Sequence, residues 1–216
     1  MIIEACVDSL PTAVAAEQCG AHRLEVCANL DADGMTPSHG LVSMVLERVA
    51  IPVFAMVRPN EGPFTYTADE VELMRREVKH FRWLGAHGIV TGALTSEGQV
   101  DSLAMTILMD AAKDIPVTFH RAFDEVDDPF AAIEELKALG VARILTAGQH
   151  VTAWKGRKVL KELRQAAGDG ITIVAGGGIR GGHVARLVAA TGVEEIHLRA
   201  TGPNRLRRVL AAIERP

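Results

Sequence analysis

The sequence is poor in the features that mark several large classes of proteins. Aromatic residues make up only 4% of the chain and the net charge is -4. Stacking on bases and binding to a phosphate backbone are therefore disfavoured, and we expect no nucleic-acid partner. Three cysteines in 216 residues are too few for a disulfide framework. No apolar run is long enough to cross a bilayer, and the first residues lack the positive charge of a signal peptide. We expect a cytoplasmic protein with reduced thiols and no membrane partner.

Several catalytic signatures are also missing. The sequence has no G-x-S-x-G elbow, no H-E-x-x-H, no C-x-x-C and no EF-hand loop. Its lysines all fall in predicted helices or loops, away from the ends of predicted strands, which disfavours a Schiff-base mechanism. Serine hydrolysis, a strong metal motif and a lysine-based aldolase reaction are therefore not indicated.

The chain alternates eight times between short β-rich runs and amphipathic helical segments. The strands are predicted at 1–6, 23–27, 52–57, 88–91, 115–119, 143–146, 171–175 and 194–198. The helices are predicted near 9–19, 37–49, 67–84, 101–113, 128–139, 152–167, 180–190 and 204–214. Strict alternation implies a parallel sheet, and eight units predict a single (β/α)8 TIM barrel, an α/β fold, over residues 1–216. A doubly wound open sheet is the alternative.

Two copies of the pattern Glu-x-Cys end the first two predicted strands. They are Glu4-Ala5-Cys6 and Glu25-Val26-Cys27. Residues two apart in a strand point to the same face, so each strand directs a carboxylate and a thiol to one side. In a TIM barrel the site lies at the C-terminal ends of the strands. The pattern therefore predicts that two acids and two sulfur atoms meet at the barrel mouth.

The densest polar cluster follows the fifth predicted strand, at Thr118–Asp124. A histidine, an arginine and a carboxylate there suit acid–base work or metal binding near neutral pH. We predict a catalytic group at the strand ends that consists of Glu4, Glu25, His120, Arg58, Arg121 and Asp124. The alternative is a structural charge network, with ion pairs such as Glu4–Arg58 or Glu25–Arg23.

A glycine-rich loop, Ala175–Gly182, follows the seventh strand and is predicted to begin a helix. Loops after strands seven and eight of this fold commonly bind phosphate. The predicted anion-binding residues are Gly177, Gly178, Ile179, Arg180 and Thr201. The alternative is that the glycines only form a tight turn.

The cysteines leave two interpretations open. Neighbouring strands lie about 4.8 Å apart, so Cys6 and Cys27 could share one soft ion such as Cu(I) or zinc. A buried cysteine more commonly acts as a small apolar residue.

The chain resembles the CutC family in motifs that run in order over nearly its whole length. The matching segments are Glu4–Ser9, Arg23–Cys27, Gly34–Gly40, Val57–Pro59, Val90–Leu94, Thr118–Asp124, Arg143–Gly148 and Ala175–Ile179. The resemblance implies a TIM barrel, a cytoplasmic location, a role in copper homeostasis and Cys6 and Cys27 as Cu(I) ligands. An enzyme that acts on a small anionic or phosphorylated metabolite is the alternative function. We also expect a homo-oligomer, namely a dimer.

Overall fold

A computed structural model of the protein describes residues 1–200 and 203–213, and these form eight alternating strands and helices. The strands are β1 Ile2–Val7, β2 Arg23–Val26, β3 Val53–Met56, β4 Gly88–Thr91, β5 Val117–Phe119, β6 Arg143–Thr146, β7 Thr172–Ala175 and β8 Glu195–Arg199. The helices are α1 Leu10–Gln18, α2 His39–Arg48, α3 Ala68–Leu84, α4 Ser102–Ala112, α5 Pro129–Ala138, α6 Arg157–Ala167, α7 Val184–Thr191 and α8 Pro203–Ile213. Short 3₁₀ helices lie at Leu30–Ala32 and Arg121–Glu125.

The strands form a closed parallel barrel in sequence order, in which β1 pairs with both β2 and β8. The register sets Glu4 opposite Arg23 on one side and opposite His197 on the other. Cys6 lies opposite Glu25 in the same ladder. The predicted TIM barrel is confirmed, and the doubly wound alternative is wrong.

The side chains of the strands sort into two separate apolar clusters. Residues at alternate positions pack between the strands and the helices, and they include Ala5, Leu24, Val26, Val53, Ala55, Val57, Phe119, Ile196 and Leu198. The inner cluster is much smaller and consists of Cys6, Cys27, Phe54, Met56 and Val90. The predicted parity is therefore confirmed, and it places the polar residues of the strands inside the barrel.

One turn between helix and strand is used three times. Gly20, Gly85 and Gly140 each follow a helix with φ of 94°, 91° and 78°, a conformation that glycine adopts without a steric penalty. In each turn the glycine N–H and the next N–H donate to carbonyl groups of the last helical turn. The chain then enters β2, β4 or β6 in the same way.

Three helices begin later than the sequence predicts. In α2 the N-cap is Ser38, whose hydroxyl accepts the N–H of Leu41. The chain before it, at Thr36, bonds to Arg58 instead, which explains the delay. Helix α6 begins at Arg157 and α7 at Val184 rather than at 152 and 180. The prediction that the glycine loop opens directly into a helix is therefore wrong.

Candidate functional site

A network of charged side chains fills the lower part of the barrel. Arg23 donates from Nε to Glu4 Oε2 and from Nη2 to Glu195 Oε2, at 2.5 Å in both cases. Its guanidinium lies over the ring of Phe54, 4.9 Å from the centroid, and that of Arg143 lies 4.5 Å from the same centroid. Charges this well buried are stable only when they are paired. This layer therefore forms a compact ionic floor beneath the site.

The ion pairs predicted from the sequence, Glu4–Arg58 and Glu25–Arg23, are wrong. Arg23 pairs with Glu4 because the barrel register sets them side by side. Arg58 lies two residues beyond the end of β3, where its Nη1 donates to backbone carbonyl groups of the loop after β2. Those partners are Ala32 O at 2.8 Å and Gly34 O at 3.3 Å.

Glu4, His197 and Glu25 form a charged triad above the floor. The Nδ1–H of His197 donates to Glu4 Oε1 at 2.8 Å, and Nδ1 lies 3.8 Å from Glu25 Oε2. Burial alone would lower the pKa of His197, but Glu25 and the bonds with Cys6 and Glu4 raise it well above its usual value. Burial would raise the pKa of Glu4, but His197 and Arg23 lower it to about 2. Glu4 is thus a carboxylate and His197 an imidazolium.

Glu25 also joins the two thiols that the sequence singles out. The Sγ of Cys6 donates to Glu25 Oε1 at 3.2 Å, and that of Cys27 lies 3.7 Å from the same oxygen. These ligand atoms all lie within 4.8 Å of one another. Met56 belongs to the same inner cluster as Cys27. Both side chains pack against Gly34, where an added Cβ would lie 3.6 Å from the Met56 methyl group and 3.5 Å from Cys27 Sγ. Two sulfur ligands at this spacing suit a soft ion such as Cu(I).

The protonation states of this cluster follow from its burial. The pKa of Cys6 is raised well above its usual value by a hydrogen bond with Cys27 and by burial. The pKa of Cys27 is also raised, since burial and the charge of Glu25 outweigh the hydrogen bond with Cys6. Burial raises the pKa of Glu25, whose Oε2 is buried and accepts no hydrogen bond from the residues that the structure describes. Both cysteines are therefore thiols at neutral pH, beside a carboxyl oxygen that lies 3.8 Å from His197 Nδ1.

A cavity of about 610 Å³ lies above this cluster, at the C-terminal ends of the strands. Among the residues that line it are Cys6, Glu25, Met56, Arg58, Phe64, His120, Arg121, Asp124, Gly177, Gly178, His197, Arg199 and Arg205. This volume is within the range of small-molecule sites. The structure therefore brings most of the predicted site residues to one mouth, with Glu4 and Cys27 beneath its surface.

Beyond the end of β5, the carboxylate of Asp124 is held by several hydrogen bonds. It accepts from Arg121 Nε at 2.8 Å and from the hydroxyl of Thr146 at 2.5 Å. It also accepts the backbone N–H groups of Ala147 and Gln149. These contacts fix the loop after β6, and the catalytic role of Asp124 stays a prediction.

The two ring nitrogens of His120 differ in their contacts. Its Nδ1 accepts the N–H of Ala122 at 3.2 Å, and its Nε2 is buried without a hydrogen bond to any residue in the described ranges 1–200 and 203–213. Burial and the charge of Arg58 lower its pKa to about 3. The imidazole is therefore neutral, and the proton lies on Nε2.

The glycine loop contributes less than the sequence predicts. Gly177 and Gly178 line the cavity, but Ile179 is buried and Arg180 is exposed outside its lining. Thr201 lies outside the described residues. The loop also supports another residue that lines the cavity, because Ile179 O accepts a hydrogen bond from Arg205 Nη2 at 3.1 Å.

Sequence reasoning missed several members of the charged network. The sequence patterns assign no role to His197, Glu195, Arg143 or Phe54, all of which the structure places in or against this network. Parity alone could have found Glu195 and Phe54, which lie two positions before His197 and Met56 on the same strands. Their partners could not be found without the register.

The comparisons with known proteins agree on one family. The family model described as "CutC family" matches residues 1–202. A CutC family protein of Xanthomonas campestris is 43% identical over 203 residues, which cover 94% of this chain and 85% of the relative. The human copper homeostasis protein cutC homolog is 42% identical over 199 residues, or 92% of this chain and 73% of its own length.

A solved structure is also similar to this chain. The copper homeostasis protein CutC of Streptococcus agalactiae superposes with a TM-score of 0.87 at 30% identity and covers 93% of this chain and 98% of its own. Across the described part of the chain, no helix has the length and apolar character needed to cross a membrane. On the match of the family model and of these relatives, the chain belongs to the CutC family.

Proposed function

We propose that this protein acts in copper homeostasis by binding Cu(I) through Cys6 and Cys27. The observation that carries the proposal is the buried cluster of two thiols and Glu25, whose ligand atoms lie within 4.8 Å of one another. The names of the human and streptococcal relatives, both called copper homeostasis proteins, support it. Copper is here the cargo, and the barrel mouth is its route to the thiols.

The chemistry of the cluster supports a soft monovalent ion over a hard one. Thiolates and thioethers favour Cu(I), and the thioether side chain of Met56 packs in the same inner cluster as Cys6 and Cys27. Binding must displace the thiol protons, whose pKa values are raised by burial and by neighbouring groups. Affinity for Cu(I) should therefore increase as the pH rises.

The test is an anaerobic titration of metal-free protein with Cu(I) against a chromophoric chelator. We expect about one Cu(I) per chain, lost in both Cys6→Ser and Cys27→Ser because serine offers no soft ligand. Cys19→Ser is the matched control, since Cys19 lies at the far end of the barrel after α1. An unchanged stoichiometry in both strand-end variants would refute copper binding at this site.

A second candidate function is acid–base catalysis on a small anionic metabolite. It is favoured by Glu25, whose Oε1 accepts the Cys6 thiol and whose Oε2 lies 3.8 Å from Nδ1 of the His197 imidazolium. This Oε2 accepts no hydrogen bond from the residues that the structure describes. A carboxyl group with a raised pKa is suited to proton transfer near neutral pH.

The catalytic candidate predicts that a substrate-like metabolite raises the melting temperature of metal-free protein. Glu25→Gln should abolish turnover of that metabolite, because an amide cannot exchange the proton. Glu47→Gln on the exposed surface of α2 is the control. A metabolite panel without any thermal shift would count against this candidate.

The proposal also includes a cytoplasmic location and a homodimer. A reducing compartment would keep the three thiols available. Trp83 and Leu103, on the adjacent helices α3 and α4, are 77% and 75% exposed, and such apolar side chains favour self-association.

A further inference from the structure

Three buried nitrogen atoms on residues that line the cavity have no hydrogen-bond partner within the part of the chain that the structure describes. They are Nε2 of His120, Nε of Arg58 and Nε of Arg205. The first two belong to side chains that pack against the same ring, that of Phe64, and these two residues are only 3% and 7% exposed. A buried polar group without a partner is rare in folded proteins and destabilises them. The pair therefore indicates a missing ligand atom.

Both atoms are hydrogen-bond donors. The Nδ1 of His120 accepts the N–H of Ala122, which leaves the proton of the neutral ring on Nε2. The ring is also fixed from behind, because a Cβ at Gly92 would lie only 2.7 Å from Nδ1. His120 therefore presents an N–H group in a defined direction, and the partner it requires is an acceptor.

Arg58 is held just as firmly and keeps its charge. Its Nη1 donates to Ala32 O and Gly34 O, which are neutral groups, and its Cζ lies 4.9 Å from the centroid of the Phe64 ring. That ring also lies 4.9 Å from the His120 ring, so one aromatic side chain packs against both donors. Within residues 1–200 and 203–213 no carboxylate forms an ion pair with Arg58. Its buried positive charge therefore calls for an anion.

We propose that Arg58 and His120 bind the carboxylate group of a small organic acid at the mouth of the barrel. One cation and one neutral donor at this position match the single charge and the two oxygen atoms of a carboxylate. Of the other arginines that line the cavity, Arg121 and Arg199 are already paired with Asp124 and Asp33. The flat ring of Phe64 beside both donors suits a planar group. This inference deepens the catalytic candidate by naming the chemical class of its ligand, but the binding site itself requires neither catalysis nor copper.

The proposal is tested by nuclear magnetic resonance on metal-free protein labelled with ¹⁵N-histidine. Glycolate is the probe, and glycolamide, which has the same shape without the charge, is its control. We expect glycolate to shift the Nε2 resonance of His120 in a saturable manner and glycolamide to leave it unchanged. Arg58→Met should weaken glycolate binding about tenfold or more, because a charged hydrogen bond is lost.

The controls separate this proposal from the others. Arg58→Lys, which keeps the charge but lacks the Nε–H group, should fall between wild type and Arg58→Met, and His150→Gln on the surface should have no effect. No shift of the His120 resonance with glycolate, or a shift with inorganic phosphate alone, would overturn the carboxylate subsite. If Arg58→Met fails to fold, the comparison of glycolate with glycolamide on the wild-type protein still tests the carboxylate subsite. Neither outcome bears on the Cu(I) titration, and loss of turnover in Glu25→Gln is measured separately.

Discussion

Replacing Arg23 with methionine should lower the free energy of unfolding by about 3–5 kcal/mol, a fall of roughly 10 °C in Tm. Arg23 is the counter-ion of both Glu4 and Glu195 in the floor of the barrel. Methionine fills a similar volume but removes the guanidinium that pairs with both carboxylates, so that Glu4 depends on His197 for its counter-ion. The Glu4 and Glu195 side chains are only 1% and 13% exposed, so water cannot compensate for the loss.

Urea unfolding, followed by circular dichroism, measures this effect. Arg76→Met is the matched control, because its ion pair with Glu72 is on the surface and should be worth less than about 1 kcal/mol. Adding Glu4→Gln and Glu195→Gln to Arg23→Met should recover part of the stability, since the buried charges are then removed together. Equal losses in Arg23→Met and Arg76→Met would mean that the floor does not depend on this pairing.

Alanine at Gly156 should cost about 3 kcal/mol by overpacking backbone against backbone. A Cβ at Gly156 would lie 1.9 Å from Ala147 O and 2.9 Å from Gly148 O, and neither carbonyl can rotate away as a side chain would. The clash pushes the loop after β6 away from the start of α6. Asp124, which holds the N–H of Ala147, is displaced with it.

Gly40→Ala is the control for Gly156→Ala, because it should change the free energy of unfolding in the opposite direction. Gly40 lies in α2, and a Cβ there would meet no atom within 4 Å. Alanine is the better helix former by about 1 kcal/mol, so this variant should be slightly more stable than wild type. Chemical unfolding of the two variants compares them directly, and a Gly156→Ala protein as stable as wild type would contradict the close approach.

The sequence predicts the fold well because the patterns that indicate the fold repeat regularly along the chain. The alternation of strands and helices gives the barrel, and the two-residue period of β1 and β2 places Cys6, Glu25 and Cys27 on one side. These inferences require only local geometry and the known polarity of the fold.

The sequence does not reveal which side chains on different strands and loops pair with one another. Glu4 bonds to Arg23 and His197, respectively 19 and 193 residues away, and that choice depends on the register of the closed sheet. Asp124 contacts Arg121 three residues earlier, but its other partners lie 22 to 25 residues further along, in a loop whose path no local pattern specifies. The turn at Gly181–His183 likewise delays α7, although the local composition suits a helix from 180.

The pairing of β1 with β8 has a consequence for biosynthesis. Glu4 emerges from the ribosome 193 residues before its partner His197. Such non-local pairing is slow to form and leaves open strand edges in the nascent chain. A prematurely terminated polypeptide would carry Glu4, Cys6 and Glu25 without the histidine that organises them. The same closure that completes the barrel thus ensures that the centre is assembled only after β8 has been synthesised.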